Sequence, residues 1–236
     1  MPRLVKSLFV SVLAITLFSC SKKPQNIPHY IISKVYKTDT LTTVNVHIDS
    51  RVTAGELILI AGKLKSDSSK IQNLAIHYLL AGNTDLSAGD NSYYASARYI
   101  KDNEAIPSDS LKDDGGNIVR LKIFGLSHER ASKLLSLQPK EITGKTVLGR
   151  FVDDYNHTLI IPFTDPADKK NELYIIEIDS AAKVVSATVP QKIIENGTEK
   201  WLVTQHGDYM ILKNNVLAQY PADGLGIPFN SIKSGM

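Results

Sequence analysis

From residue 143 onward the chain is cut at short intervals by turn signals. They are Asp153-Asp154-Tyr155-Asn156, Asp165 to Asn171, Asp179 to Lys183, Asn196-Gly197, His206-Gly207, Asn214-Asn215 and Asp223-Gly224. Asn and Gly accept the left-handed backbone of tight turns, and Asp and Asn side chains bond to their own backbone two residues on. Between the signals lie Thr146 to Val152, Thr158 to Phe163, Leu173 to Ile178, Val184 to Val189, Glu199 to Thr204, Asp208 to Leu212 and Val216 to Tyr220. These runs are too short for helices of ordinary length, and several are rich in β-branched and aromatic residues. Asn196-Gly197 suits the two-residue type I′ hairpin, whose twist matches that of the flanking strands. The rhythm predicts an antiparallel β-meander or small curled barrel over residues 139–236. A barrel of such short strands is filled by side chains.

Residues 29–138 have a different pattern. Tyr30 to Tyr36 and Leu41 to Ile48 read as paired strands around a Lys37-to-Thr40 turn. In the second of these, Val44, Val46 and Ile48 alternate with Thr43, Asn45 and His47, so one face is apolar. A helix follows. Thr53 and Glu56 have capping-box spacing, Val52 and Leu57 form a staple, and Leu57, Ile60, Ala61 and Leu64 make the stripe that lies on a sheet. Ile71 to Leu80, Tyr93 to Ile100 and Asn117 to Phe124 read as strands, and Ser127 caps a second helix that Pro139 closes. The expectation is an α+β fold: an N-terminal β-β-α-β-β-β-α layer, then the meander.

Composition excludes little else. The chain has 236 residues, 43% of them apolar and 22% charged, which is ordinary for a globular protein. A formal charge of +3 argues against a dedicated nucleic-acid binder. The single cysteine excludes an internal disulfide framework and a Cys-rich zinc site.

That cysteine closes a distinctive first segment, MPRLVKSLFVSVLAITLFSC. Arg3 and Lys6 form a basic start, and Ser7 to Phe18 an apolar run about 18 Å long as a helix, short of the roughly 30 Å of a bilayer core. Residues 1–19 therefore read as a signal peptide. Leu17-Phe18-Ser19-Cys20 resembles the lipobox of bacterial lipoproteins. The resemblance implies cleavage before Cys20, lipid modification of that cysteine with acyl chains such as palmitate, and anchorage to the lipid bilayer. Ser21 after the cysteine resembles the pattern directed to the outer membrane, facing the periplasm. Residues 20–28, with two prolines, read as a tether. Removing Arg3 and Lys6 leaves 25 bases against 24 acids, so net charge gives no argument for an anionic partner.

The search for chemistry returns no motif. His29, His47, His77, His128, His157 and His206 show no metal-ligand spacing, no G-x-S-x-G elbow occurs, and Asp113-Asp114 and Asp153-Asp154 are explained by turns. No cofactor and no metal are expected. Tyr93, Tyr94 and Arg98, with Trp201 farther on, are the candidate binding surface. The leading expectation is a non-catalytic envelope lipoprotein that binds or scaffolds an envelope protein or small ligand. The alternatives are a carrier holding a lipid or other apolar ligand in the C-terminal strands, and an envelope hydrolase using dispersed residues such as His128 or His157 beside a carboxylate.

Overall fold

The computed structural model describes residues 26–68, 71–80, 93–101, 105–170 and 172–222, and the backbone of 230–234. The signal segment, Cys20, most of the tether and the Asp223-Gly224 turn lie outside the described residues.

Strand β1 (Tyr30–Lys37) pairs antiparallel with β2 (Thr42–Ile48). The chain then crosses through α1 (Ala54–Asp67) to β3 (Leu74–Leu80), which lies parallel to β2, the arrangement a helical crossover permits. The α1 start is fastened as its residues dictate. The Glu56 amide donates to Thr53 Oγ1 at 3.3 Å, and the Thr53 amide donates to Glu56 Oε2 at 2.7 Å. Leu57, Ile60, Ala61 and Leu64 are buried against Val44, Val46 and Ile48 of β2 and Ile76, Tyr78 and Leu80 of β3. Each large side chain so buried contributes roughly 1.5–3 kcal/mol. The sheet continues through β4 (Ala95–Tyr99), β5 (Ser110–Lys112) and β6 (Ile118–Ile123), in the spatial order β1-β2-β3-β4-β6-β5. Strand β5 falls in a stretch whose polarity gave no strand signal.

The second sheet holds β7 (Thr146–Val147), β8 (Phe151–Asp153), β9 (Thr158–Thr164), β10 (Leu173–Ile178), β11 (Val184–Thr188), β12 (Gln191–Glu195), β13 (Thr198–Leu202), β14 (Tyr209–Lys213), β15 (Val216–Tyr220) and β16 (Asn230–Ser234). All its pairings are antiparallel, in the order β11-β10-β9-β8-β16-β15-β14-β13-β12, with β7 added beside β9. The expected antiparallel strands are present, as two runs of hairpins joined where β16 pairs with β8 rather than as one meander, and the hairpin turn falls at Asn196-Gly197, both with positive φ. The ladder is open, because β11 and β12 at its two ends do not pair. They are consecutive in the chain, however, and Val189-Pro190 alone separates them. Proline has no amide hydrogen to give a ladder, so the strand breaks there. The short link also holds the sheet's two ends close together, which curls it without hydrogen-bonded closure.

Helix α2 (His128–Leu135) corrects the expected first layer. Its buried Ala131 and Leu134 pack with Val152, Leu159, Ile161 and Phe163, so it covers the second sheet, not the first. Helical periodicity showed that α2 has one apolar face but could not show which sheet receives it. The opposite face of β8–β10 packs inside the curl, where Phe151, Ile160, Leu173 and Ile175 meet Trp201, Met210 and Leu217. Strand β9 is consequently buried on both faces. Among the described residues no helix is long and apolar enough to cross a membrane.

Candidate functional site

The candidate binding residues do not share one surface. Tyr94 is buried, its hydroxyl donating to Val52 O at 3.2 Å. Burial pushes its phenol up to about 12, against the opposing pull of Arg51. Trp201 is likewise buried inside the curl of the second sheet, and its indole N–H donates to Glu199 Oε1 at 2.6 Å. Tyr93 and Arg98 do come together. The Tyr93 ring stacks on His77 with centroids 4.0 Å apart. His77 pairs across the sheet with Ser96, two residues from Arg98 on the same side of β4. Both therefore belong to the face of the first sheet turned away from α1.

The charged strand positions of that face are of one sign. The six strands contain no Asp or Glu. Strand alternation and register put Lys34, Arg98, Lys112, Arg120 and Lys122 on it, together with His47 and His77. Arg98 and Arg120 stand directly opposite each other on β4 and β6, Ser96 is opposite Lys122, and Ser110 on β5 is opposite Arg120. Opposed like charges on neighbouring strands destabilise a sheet. Asp109 on the rim approaches Arg120 at 3.7 Å, and both side chains remain more than half exposed. The middle of the face is closed: Asn45, Ala75 and Leu79 are buried. The exposed bases are concentrated on β4, β6 and β5.

A second polar constellation lies where the two sheets meet. Arg51 is buried and grips Asp154 through its two terminal guanidinium nitrogens, at 2.8 and 2.6 Å, and also donates to Leu126 O at 3.1 Å. Asp154 Oδ1 in turn accepts the Leu126 amide at 2.7 Å. The Arg51 guanidinium lies 5.3 Å from the Tyr94 ring centroid, and His128 Nδ1 is 3.0 Å from Arg51 O. Gly125 makes this approach possible: a Cβ there would sit 2.7 Å from the Asp154 carboxyl. Sequence reading gave Asp153 and Asp154 the same turn role. Asp153 has it, accepting the Tyr155 and Asn156 amides, whereas Asp154 joins the halves of the molecule. Arg51 and Asp154 are 103 residues apart, so no local pattern could link them.

A groove of about 630 Å³ runs between α1 and the Asp113–Asn117 turn, with Ile27 and Ile58 on its apolar side. Its polar groups are engaged within the protein. Asp113 accepts from Tyr99 OH at 3.0 Å and from the Asn117 amide at 2.8 Å, and Lys65 donates to Ile71 O at 2.5 Å and Gln72 O at 3.2 Å. Burial, then the bond to Asp113, holds the Tyr99 phenol well above its ordinary range, so it serves as a fixed donor.

The remaining candidates separate. His128 bonds to a backbone carbonyl, and His157 is exposed at a turn with φ 58°. A ligand inside the second sheet would have to displace Phe151, Trp201 and their neighbours. Among the described residues no three His, Cys, Asp or Glu side chains converge on a metal-sized site. No family model, curated protein or solved structure matches the chain.

Proposed function

We propose that the protein is a lipid-anchored component of a bacterial cell envelope that acts by binding or scaffolding. The observation that carries this reading is the Leu17-Phe18-Ser19-Cys20 sequence at the end of a basic-then-apolar leader, with the chain's single cysteine in its last position. Two acyl chains bury enough methylene to hold a protein on a bilayer durably, at about 0.8 kcal/mol per CH₂. Ser21 after the cysteine supports the outer membrane, with the body facing the periplasm. The polar constellations described above have structural partners, which favours a binding body over a catalyst. Where a buried charge is present, at Arg51, it joins two sheets.

Growth with an alkyne analogue of palmitate tests the anchor. The wild-type chain is expected to take up label and fractionate with membranes, and Cys20→Ser to do neither. Label retained in Cys20→Ser, or an unlabelled wild type in the aqueous fraction, overturns the proposal.

A further inference from the structure

We infer that the outer edge of β1 pairs with β1 of a second copy of this chain, joining two first sheets antiparallel about a two-fold axis. Among the described residues β1 pairs with β2 alone, and no strand lies along its other edge. The strand runs eight residues, and seven of them are exposed. Of the twelve large apolar side chains exposed among the described residues, four lie on it: Ile31, Ile32, Val35 and Tyr36, at 57, 48, 48 and 40%. An apolar edge strand is a template for another strand, and edges that resist pairing carry charges and bulges. Strand β1 has Lys34, Lys37 and a bulge at Ser33, but here the bulge favours pairing.

The bulge makes β1 complementary to itself. Its register on β2 shifts between Ile32 and Lys34, so Ile32 lies opposite Val46 and Val35 opposite Val44, both on the α1 side of the sheet. Ile31 and Tyr36, opposite His47 and Thr43, lie together on the other side. Residues directly opposite in an antiparallel pair share a face. Turning β1 about its centre, between Ser33 and Lys34, sets Ile32 against Val35 of the second copy and Ile31 against Tyr36 of the second copy. Each pair occurs twice, apolar on apolar and on one face. Without the bulge, residues three or five apart would point to opposite faces and this register would fail. The ends also match in charge. Tyr30 lies in the field of Asp67, which Lys63 holds at 2.6 Å, and Asp49 follows the end of β2. Lys37 of the second copy comes opposite Tyr30 on the α1 side, and no lysine stands directly against another. Asp39 lies in the turn beyond the paired residues.

Eight residues of edge bury less than the roughly 800 Å² per partner of a standard interface, so the pair is weak in dilute solution. The lipid anchor proposed above, on which this step alone rests, holds copies on one membrane and raises their local concentration. The two Tyr30 residues stand about 24 Å apart in the pair, and the chain from Cys20 to Tyr30 reaches at most about 36 Å, so both anchors meet one bilayer.

The test uses the full chain carrying Cys20→Ser, so that acylation plays no part and the only thiols are those introduced. Chains with Ile32→Cys mixed with chains with Val35→Cys should join by a disulfide on mild oxidation. Directly opposite Cα atoms lie about 4.5–5.5 Å apart, within disulfide reach. Either chain alone, or Ile32→Cys mixed with Tyr36→Cys, should cross-link at least about tenfold less, because the sulfurs then lie about 10 Å apart or on opposite faces. In sedimentation equilibrium the Cys20→Ser parent should form a dimer that Ile32→Lys/Val35→Lys abolishes. Val185→Lys/Ile194→Lys, an equal change on the two end strands of the second sheet, should leave it intact. The cysteine pairs decide the register even if a lysine variant folds poorly. A parent that stays monomeric up to about 1 mM overturns the proposal. So does cross-linking that ignores register, or a dimer lost through Val185→Lys/Ile194→Lys instead. Cross-linking of these cysteines in cells to a different envelope protein, with none between copies, gives the edge to another partner and overturns it too. Failure of Cys20 to take up acyl label leaves these outcomes unchanged, so the two proposals fail separately.

Discussion

The two sheets differ in what their second face does. The first buries one face under α1; on the other, Asn45, Ala75 and Leu79 of β2 and β3 are buried too, and exposed bases stand only toward β4, β6 and β5. In the second, β8–β10 have α2 on one side and the returning strands β13–β15 on the other. Burial on both faces leaves β9 no surface for a ligand, and its composition shows it: Leu159, Ile160, Ile161 and Phe163 are apolar in succession, not in alternation. In β6, by contrast, Arg120 and Lys122 alternate with Val119, Leu121 and Ile123. Alternating strands such as β6 keep an exposed polar side, whereas strands buried on both sides, β9 and β3 alike, supply stability.

The largest effects should come from the doubly covered sheet. Phe151→Ala removes a fully buried ring from inside the curl and is expected to cost about 3–5 kcal/mol in urea unfolding. Ile32→Ala, on the exposed edge strand β1, should cost about 0.5 kcal/mol or less. Comparable losses at the two positions would erase the distinction between the sheets.

Next in size is the bond between them. Arg51→Ala leaves the Asp154 carboxylate half-buried without its guanidinium and should cost about 3 kcal/mol. Arg51→Met combined with Asp154→Leu should lose less than the two single changes added together, because no unpaired charge remains. Simple additivity would show that the contact does not couple the halves.

The helix caps compare the two layers directly. Thr53→Ala removes a reciprocal capping box and should cost about 1–2 kcal/mol. Ser127→Ala removes one bond, from the Arg130 amide, and should cost about 0.5–1 kcal/mol. The smallest effect has the opposite sign. A Cβ at Gly62 would rest in ordinary contact, 3.5 Å from Asp113 Cβ, so Gly62→Ala should raise stability by about 0.5–1 kcal/mol while narrowing the groove. A loss there would mean that the groove has less room than the structure gives it.

Local features of the fold were legible in the sequence and long-range ones were not. The Thr53–Glu56 box, the α1 stripe, the Asn196-Gly197 hairpin, and strands such as Leu173–Ile178 and Val216–Tyr220 depend on neighbouring residues, and residue patterns record neighbours. The sheet that receives α2, the β11–β12 break at Pro190 and the Arg51–Asp154 contact depend on residues far apart in the chain. Of the candidate surface, Tyr93 lies two residues before β4 and shares a face with Arg98, whereas strand alternation read from the sequence had put Tyr94 there; Tyr94 and Trp201 are buried. The single sign of the first sheet's strand charges was missed because charge was summed over the whole chain. The signal was available in each strand read separately, since none of the six carries an acid.

Mass spectrometry of the protein purified from the envelope of the cells that make it tests the central claim most directly. The account predicts a mature chain whose first residue is Cys20, heavier than its sequence by a glyceride and its fatty acids. A chain recovered with Ser19 still joined to Cys20 and the sulfur unmodified would contradict it.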